Sequence, residues 1–194
     1  MSRQRWLIPV VVVVLSVTAG GGLLAREFYQ RQLSAEPAGT DSIVAPSSTT
    51  PLAPDQEPGS ATVLVSSDVA IHPQGQAVRN VLQTYFDSIN NRDYRSWTTT
   101  VSTKRAGQKP QKTWEQDLQS TKDGSVLIYR IERGAGVSLR VLIAFTSTQN
   151  VANAPEDFPE KCIHWRLVWP LIEQNGSLRI DTVESPSDPE REKC

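Results

Sequence analysis

Metal, redox and phosphate chemistry have little to work with here, because 194 residues include only two histidines, two cysteines and one methionine. His72 stands before Pro73 with no Cys, Asp or Glu at ligand spacing, so neither a metal nor a cofactor is expected. There is no glycine-rich phosphate loop and no nucleophile on a strand-turn-helix elbow. A basic face is missing as well. Lys and Arg number 20 against 21 Asp and Glu, a net charge of -1. Lys104, Arg105, Lys109 and Lys112 form a small basic cluster in a polar loop, too little for phosphates to meet, so nucleic acid is not expected as a partner.

What the chain does contain is an uncharged stretch over residues 6–25. Twenty helical residues reach about 30 Å, the thickness of a bilayer's hydrocarbon. Residues 10–14 are all valine, a poor composition for a soluble helix. Arg3 and Arg5 on one side, against Arg26 and Glu27 on the other, keep residues 1–5 in the cytoplasm and put the rest outside. The expected location is therefore the cell membrane, with a single pass and an extracytoplasmic C-terminal part. Val17 and Ala19 also suit a cleaved signal peptide, and both readings export the domain. No cysteine lies near the end of the stretch, which excludes a lipid-modified cysteine anchor.

Residues 26–62 read as a flexible linker, in which the stretch from Ser34 to about Ala61 carries Pro37, Pro46, Pro51, Pro54 and Pro58 among Ser, Thr and Ala and almost no large apolar side chains. About 28 such residues reach roughly 30 Å as a coil, enough to hold a domain clear of lipid headgroups. Ser47, Ser48, Thr49 and Thr50 serve either as plain linker or as acceptors of O-linked sugar.

The folded part is expected over residues 63–185, with 186–194 as a C-terminal tail. Val78, Val81, Leu82, Tyr85, Phe86 and Ile89 repeat at helical spacing and predict a helix with one buried face. The break Asn90, Asn91, Arg92, Asp93 ends it, and Tyr94 and Trp97 predict a short second helix. A polar loop follows. Thr113, with Gln116 three residues on, reads as a capping box for a third helix carrying Trp114 and Leu118, which Asp123 and Gly124 end. Period-two segments then predict strands over 126–133, 137–146, 163–172 and 178–183, with hairpins at Gly134–Gly136 and at Asn175, Gly176. Asn175-Gly176-Ser177 is formally a glycosylation sequon, but a tight turn accounts for it. Helices followed by antiparallel strands give an α+β class: about three helices packed on one face of a curved antiparallel sheet.

The helix over 78–89, the Asn-Asn-Arg-Asp-Tyr break and the later strands resemble the nuclear transport factor two-like superfamily. The anchor, the stalk, the stretch Cys162-Ile163-His164-Trp165-Arg166-Leu167 and the stretch Leu178-Arg179-Ile180-Asp181 are similar to exported actinobacterial proteins resembling the membrane proteins associated with mammalian-cell-entry transport systems. The resemblance implies a cone-shaped domain enclosing a pocket, often dimeric, used by different members for binding or for catalysis, so the fold does not choose a function.

Alternation on the strand over 163–172 puts Ile163, Trp165, Leu167, Trp169 and Leu171 on one face and His164, Arg166 and Val168 on the other, which directs His164 away from a pocket. Asp181 also points outward, as a partner for Arg166 or Arg179. No catalytic residue is therefore expected. Tyr85, Phe86, Trp97, Tyr129, Trp165 and Trp169 are the candidate pocket lining. Filling of the interior by Trp97, Trp165, Trp169 and Phe86 would exclude catalysis there, whereas a buried carboxylate or His with raised proton affinity would favour an isomerase-like or cyclase-like enzyme. The expected function is a non-catalytic binding or interaction module accessory to an envelope or transport complex. Its expected partners are an envelope protein or a small apolar ligand, with a homodimer as a further reading.

Cys162 and Cys194 are placed to bridge in an oxidising compartment, closing a loop of about 33 residues. Chain entropy gives such a bridge about 3 to 4 kcal/mol. Intact-mass measurement without reductant should therefore show two hydrogens fewer than the sequence mass. Two alkylatable thiols in the native protein would contradict it.

Overall fold

The strongest helical pattern becomes α2, Gly75–Asn91, and Val78, Leu82 and Phe86 on its apolar face are fully buried. The computed structural model describes residues 52–53, 55–136, 138–183 and 189–194. The expectations for residues 1–5, 6–25 and most of the linker lie outside these. Among the described residues, no helix is long and apolar enough to cross a membrane.

In chain order the elements are β1 (Leu64–Val65), α1 (Ser67–Ala70), α2, α3 (Tyr94–Thr98), α4 (Thr103–Gln108), α5 (Gln111–Leu118), β2 (Lys122–Arg133), β3 (Leu139–Thr148), a short 3-10 turn (Val151–Asn153), β4 (Cys162–Gln174), β5 (Ser177–Ile180) and β6 (Glu190–Lys193). The domain is thus mixed α and β, with a six-stranded sheet ordered β1-β2-β3-β4-β5 and β6 paired to β4. β4 is long enough to take two partners along one edge, β6 at 163–166 and β5 at 171–174.

The structure departs from the sequence reading at several points. Five α-helices are found among the described residues where about three were expected. β1 runs parallel to β2, while the other pairings are antiparallel. The polar loop before Thr113 contains α4, because Ser102 caps it by accepting the Arg105 N–H at 3.1 Å. Thr113 does not cap α5. That helix starts at Gln111, three residues before Trp114, and follows Pro110, whose extended backbone sets the entry and leaves Thr113 inside. Asp123 and Gly124 belong to β2 and stop no helix. Within the expected tail, residues 190–193 form a strand. The end of the expected linker is packed as well: Gln83 and Arg79 on α2 bond the backbone of Ala61 and Val63.

The hairpin signals are realised as read. Asn175 and Gly176 both adopt positive φ, 54° and 73°, between the paired residues Gln174 and Ser177. The core lies between α2 and the sheet, where Val126, Ile128, Val141, Ile143, Leu171 and Ile180 are fully or almost fully buried. A second aromatic group, Tyr94, Trp97 and Trp114, has ring centres 5.5 to 5.9 Å apart and ties α3 to α5. Trp114 is fully buried there. Replacing it with Ala should cost about 3 to 5 kcal/mol in urea unfolding, with the lost area and the residual cavity adding. A loss below about 1 kcal/mol would show that α5 does not depend on this packing.

Candidate functional site

The last turn of α2 is organised by its polar break. Arg92 takes the left-handed conformation (φ 61°) that closes the helix. Its guanidinium donates to the carbonyls of Ile89, Gln119 and Thr121, holding the strand entry against the helix end. Asn90 completes the seam. Its side-chain oxygen accepts the Asp123 N–H and its amide donates to the Asp123 carbonyl, each at 2.8 Å.

This seam fixes the start of β2, and a bulge sets which way it faces. The register shifts by one residue between Gly124 and Leu127, with Ser125 at φ 51°. Asp123 consequently pairs with Ser147 and shares the inward face with Val126 and Ile128, although simple alternation from Val126 would turn it outward. Its carboxylate is buried and accepts the Ser147 hydroxyl.

Asp123 and Ser147 line a cavity of about 540 Å³ whose walls include Tyr85, Phe86, Phe145, Trp165 and Trp169, with Lys109, Asp117 and Glu156 also on its lining. Phe86 and Trp169 stack at 5.9 Å, Phe145 and Trp165 at 6.3 Å, and Tyr85 meets Trp169 edge-on at 5.0 Å. Burial pushes the Asp123 carboxyl up to about 6, against the opposing pull of the Ser147 hydrogen bond and the Arg92 charge. The result is an aromatic chamber with one carboxyl group that exchanges its proton close to neutrality.

The expected lining residues are brought together only in part. Tyr85, Phe86, Trp165 and Trp169 share the cavity. Trp97 does not: it belongs to the Tyr94–Trp114 group. Tyr129 is also absent from the lining: it directly follows Ile128, which is fully buried on the inward face, so alternation turns it to the other side of the strand. His164 faces the other side of the sheet, where Nδ1 is 2.8 Å from Thr146 Oγ1. Asp181 pairs with neither of the arginines expected. β5 ends at Ile180, and Asp181 turns to accept the Ser102 hydroxyl at 2.5 Å, while Arg166 lies 3.6 Å from Glu190. Cys162 and Cys194 form the expected disulfide, with Cα atoms 5.4 Å apart. Beyond these, the site depends on Asp123, Ser147, Asn90, Arg92 and Phe145. Phe145 alone had a signal in the alternation of its strand.

No known protein family matches the chain, and no curated protein matches it.

The buried carboxyl makes stability depend on pH in a defined direction. In the unfolded chain it titrates near 3.8 and in the fold near 6, so between those values the folded state holds a proton that the unfolded state has released. Its contribution is complete below about pH 4 and is lost as pH rises through 6, on the order of 3 kcal/mol in all. Asp123→Asn should therefore gain on the wild type by up to that amount between pH 4 and pH 8 in urea unfolding. Parallel pH curves for the two proteins would contradict this.

Proposed function

We propose that the domain is an extracytoplasmic binding module for a small, mostly apolar molecule with a ring, tethered to the cell membrane by residues 6–25 and accessory to an envelope or transport complex. The observation that carries the reading is the aromatic-walled cavity whose lining includes the buried carboxyl of Asp123. Ring faces and edges offer stacking and edge contacts to a flat apolar ligand. Asp123, beside Ser147, fixes the orientation of one polar group on it, the division of labour usual for small-molecule sites. The uncharged stretch over 6–25 and the proline-rich linker support the placement outside the membrane. The resemblance to nuclear transport factor two-like proteins supports a cone-shaped enclosure of this cavity.

A second reading is an isomerase-like or cyclase-like enzyme, and Asp123 is the observation that favours it. A carboxyl titrating near 6 can take a proton next to a carbonyl and return it at neutral pH. One preparation separates the two: the full chain in lipid nanodiscs, with empty discs as blank. Energy transfer from tryptophan to the neutral probe N-phenylnaphthylamine should report binding that weakens at least tenfold in Trp165→Ala and persists in Asp123→Asn. Unchanged transfer in Trp165→Ala would remove the cavity as the site. Incubation with a β,γ-unsaturated ketone in deuterated water should show no Asp123-dependent isomerisation or deuterium uptake. Such turnover, abolished in Asp123→Asn, would establish the enzyme instead.

A further inference from the structure

On the opposite face of the sheet, the segment before β1 crosses the start of β2. A Cβ on Gly124 would lie 2.5 Å from the Pro58 carbonyl and 2.6 Å from that of Gly59, so only glycine admits this crossing. Ser125 holds it in place, its hydroxyl donating to the Pro58 carbonyl and its N–H to the Ser60 carbonyl, both at 2.8 Å. The crossing presses Glu57 against β4. Its side chain is 3% exposed, and Oε2 has no hydrogen-bond partner among the described residues. A buried carboxylate in that state is costly unless something compensates its charge.

The groups around Glu57 have the character of metal ligands. His164 Nδ1 is engaged by the Thr146 hydroxyl at 2.8 Å, which fixes the ring and turns Nε2 toward Glu57 Oε1, 3.9 Å away. An outer hydrogen bond of this kind is what orients a metal-binding imidazole. Cys194 completes the group: one ligand atom from each of Glu57, His164 and Cys194 lies within 4.8 Å of the others. Oxygen, nitrogen and sulfur ligands of one zinc ion at about 2.0 to 2.3 Å are roughly 3.3 to 3.8 Å apart in a tetrahedron, so the group needs to close by about an ångström. In the structure, Cys194 is bonded to Cys162 and is no thiolate.

We infer that Glu57, His164 and Cys194 form a zinc-class site that the Cys162–Cys194 disulfide masks and that reduction opens. An external dithiol supplies the two electrons. One of its thiolates attacks the disulfide, the mixed disulfide is resolved by its second thiol, and the dithiol leaves oxidised while Cys162 and Cys194 become thiols. The metal ion then displaces the Cys194 proton to solvent and binds Glu57, His164 and the thiolate, with water in the fourth position. The cross-link thereby passes from β4–β6 to a junction that also includes the segment leading from the N-terminal part of the chain, and the carboxylate of Glu57 gains its counter-charge.

The test uses the full chain in nanodiscs and Co²⁺ as probe, in three forms: oxidised, reduced with a phosphine that is then removed, and Cys162→Ser, which leaves Cys194 as a free thiol without any reductant. The reduced and Cys162→Ser forms should each bind one equivalent, with a thiolate-to-cobalt charge-transfer band and the intense visible absorption of tetrahedral cobalt, both erased by Zn²⁺. The oxidised form should bind at least tenfold more weakly and show no charge-transfer band. In the Cys162→Ser background, Glu57→Gln and His164→Asn should each weaken binding roughly tenfold or more. Weak octahedral spectra in both thiol forms, or undiminished binding in the Glu57 and His164 variants, would overturn the inference. If loss of the disulfide unfolds the domain, Zn²⁺ must restore its circular dichroism and thermal transition in the Cys162→Ser protein but not in the added His164→Asn variant. Failure of that rescue would overturn it equally.

Discussion

Two hydrogen bonds between the Asn90 side chain and the Asp123 backbone, reinforced by the Arg92 guanidinium on the carbonyls of Gln119 and Thr121, join the end of the long helix to the beginning of the sheet. Much of the site follows from that seam. It fixes the height of α2 over the strands, so that Tyr85 and Phe86 meet Phe145 and Trp169. It also fixes where β2 begins, so that the bulge at Ser125 turns one acidic side chain into the interior. A carboxyl buried in this way resists ionisation, which is why it titrates near 6 instead of 3.8.

The same bulge serves the other face. Where Asp123 turns inward, Gly124 gives the crossing segment room and Ser125 binds it. The two faces of one strand end therefore carry two unlike environments. One is an aromatic chamber with a protonatable carboxyl. The other is a cluster of Glu57, His164 and the terminal disulfide, in which a second buried carboxylate faces an imidazole.

The elements were legible wherever one period dominated. The apolar repeat of α2, the alternation of β3 and β4, the Asn-Gly turn and the cysteine pair all stand in the structure near the positions the sequence suggests. What escaped depends on tertiary contacts. α4 is polar and exists because Ser102 both caps it and donates to Asp181, 79 residues away. Residues 190–193 have no apolar pattern and become a strand because β4 offers a free edge beside Cys162. Asp123 was hidden for a sharper reason. Asp-Gly after a helix normally signals a stop, and a register shift of one residue reverses the face that alternation predicts. Four of the five aromatic side chains on the cavity wall could thus be read from the sequence, and the buried carboxyl of Asp123 could not.

Asp123 is a buried carboxyl whose proton affinity is raised by its burial. The most direct measurement is a carboxyl ¹³C titration of the full chain, with the Asp123 signal assigned by its loss in Asp123→Asn. The expected midpoint is about 6, and it should move when an apolar ring compound occupies the cavity or when Trp165→Ala admits water. A midpoint near 3.8, unmoved by ligand or by that substitution, would contradict the account.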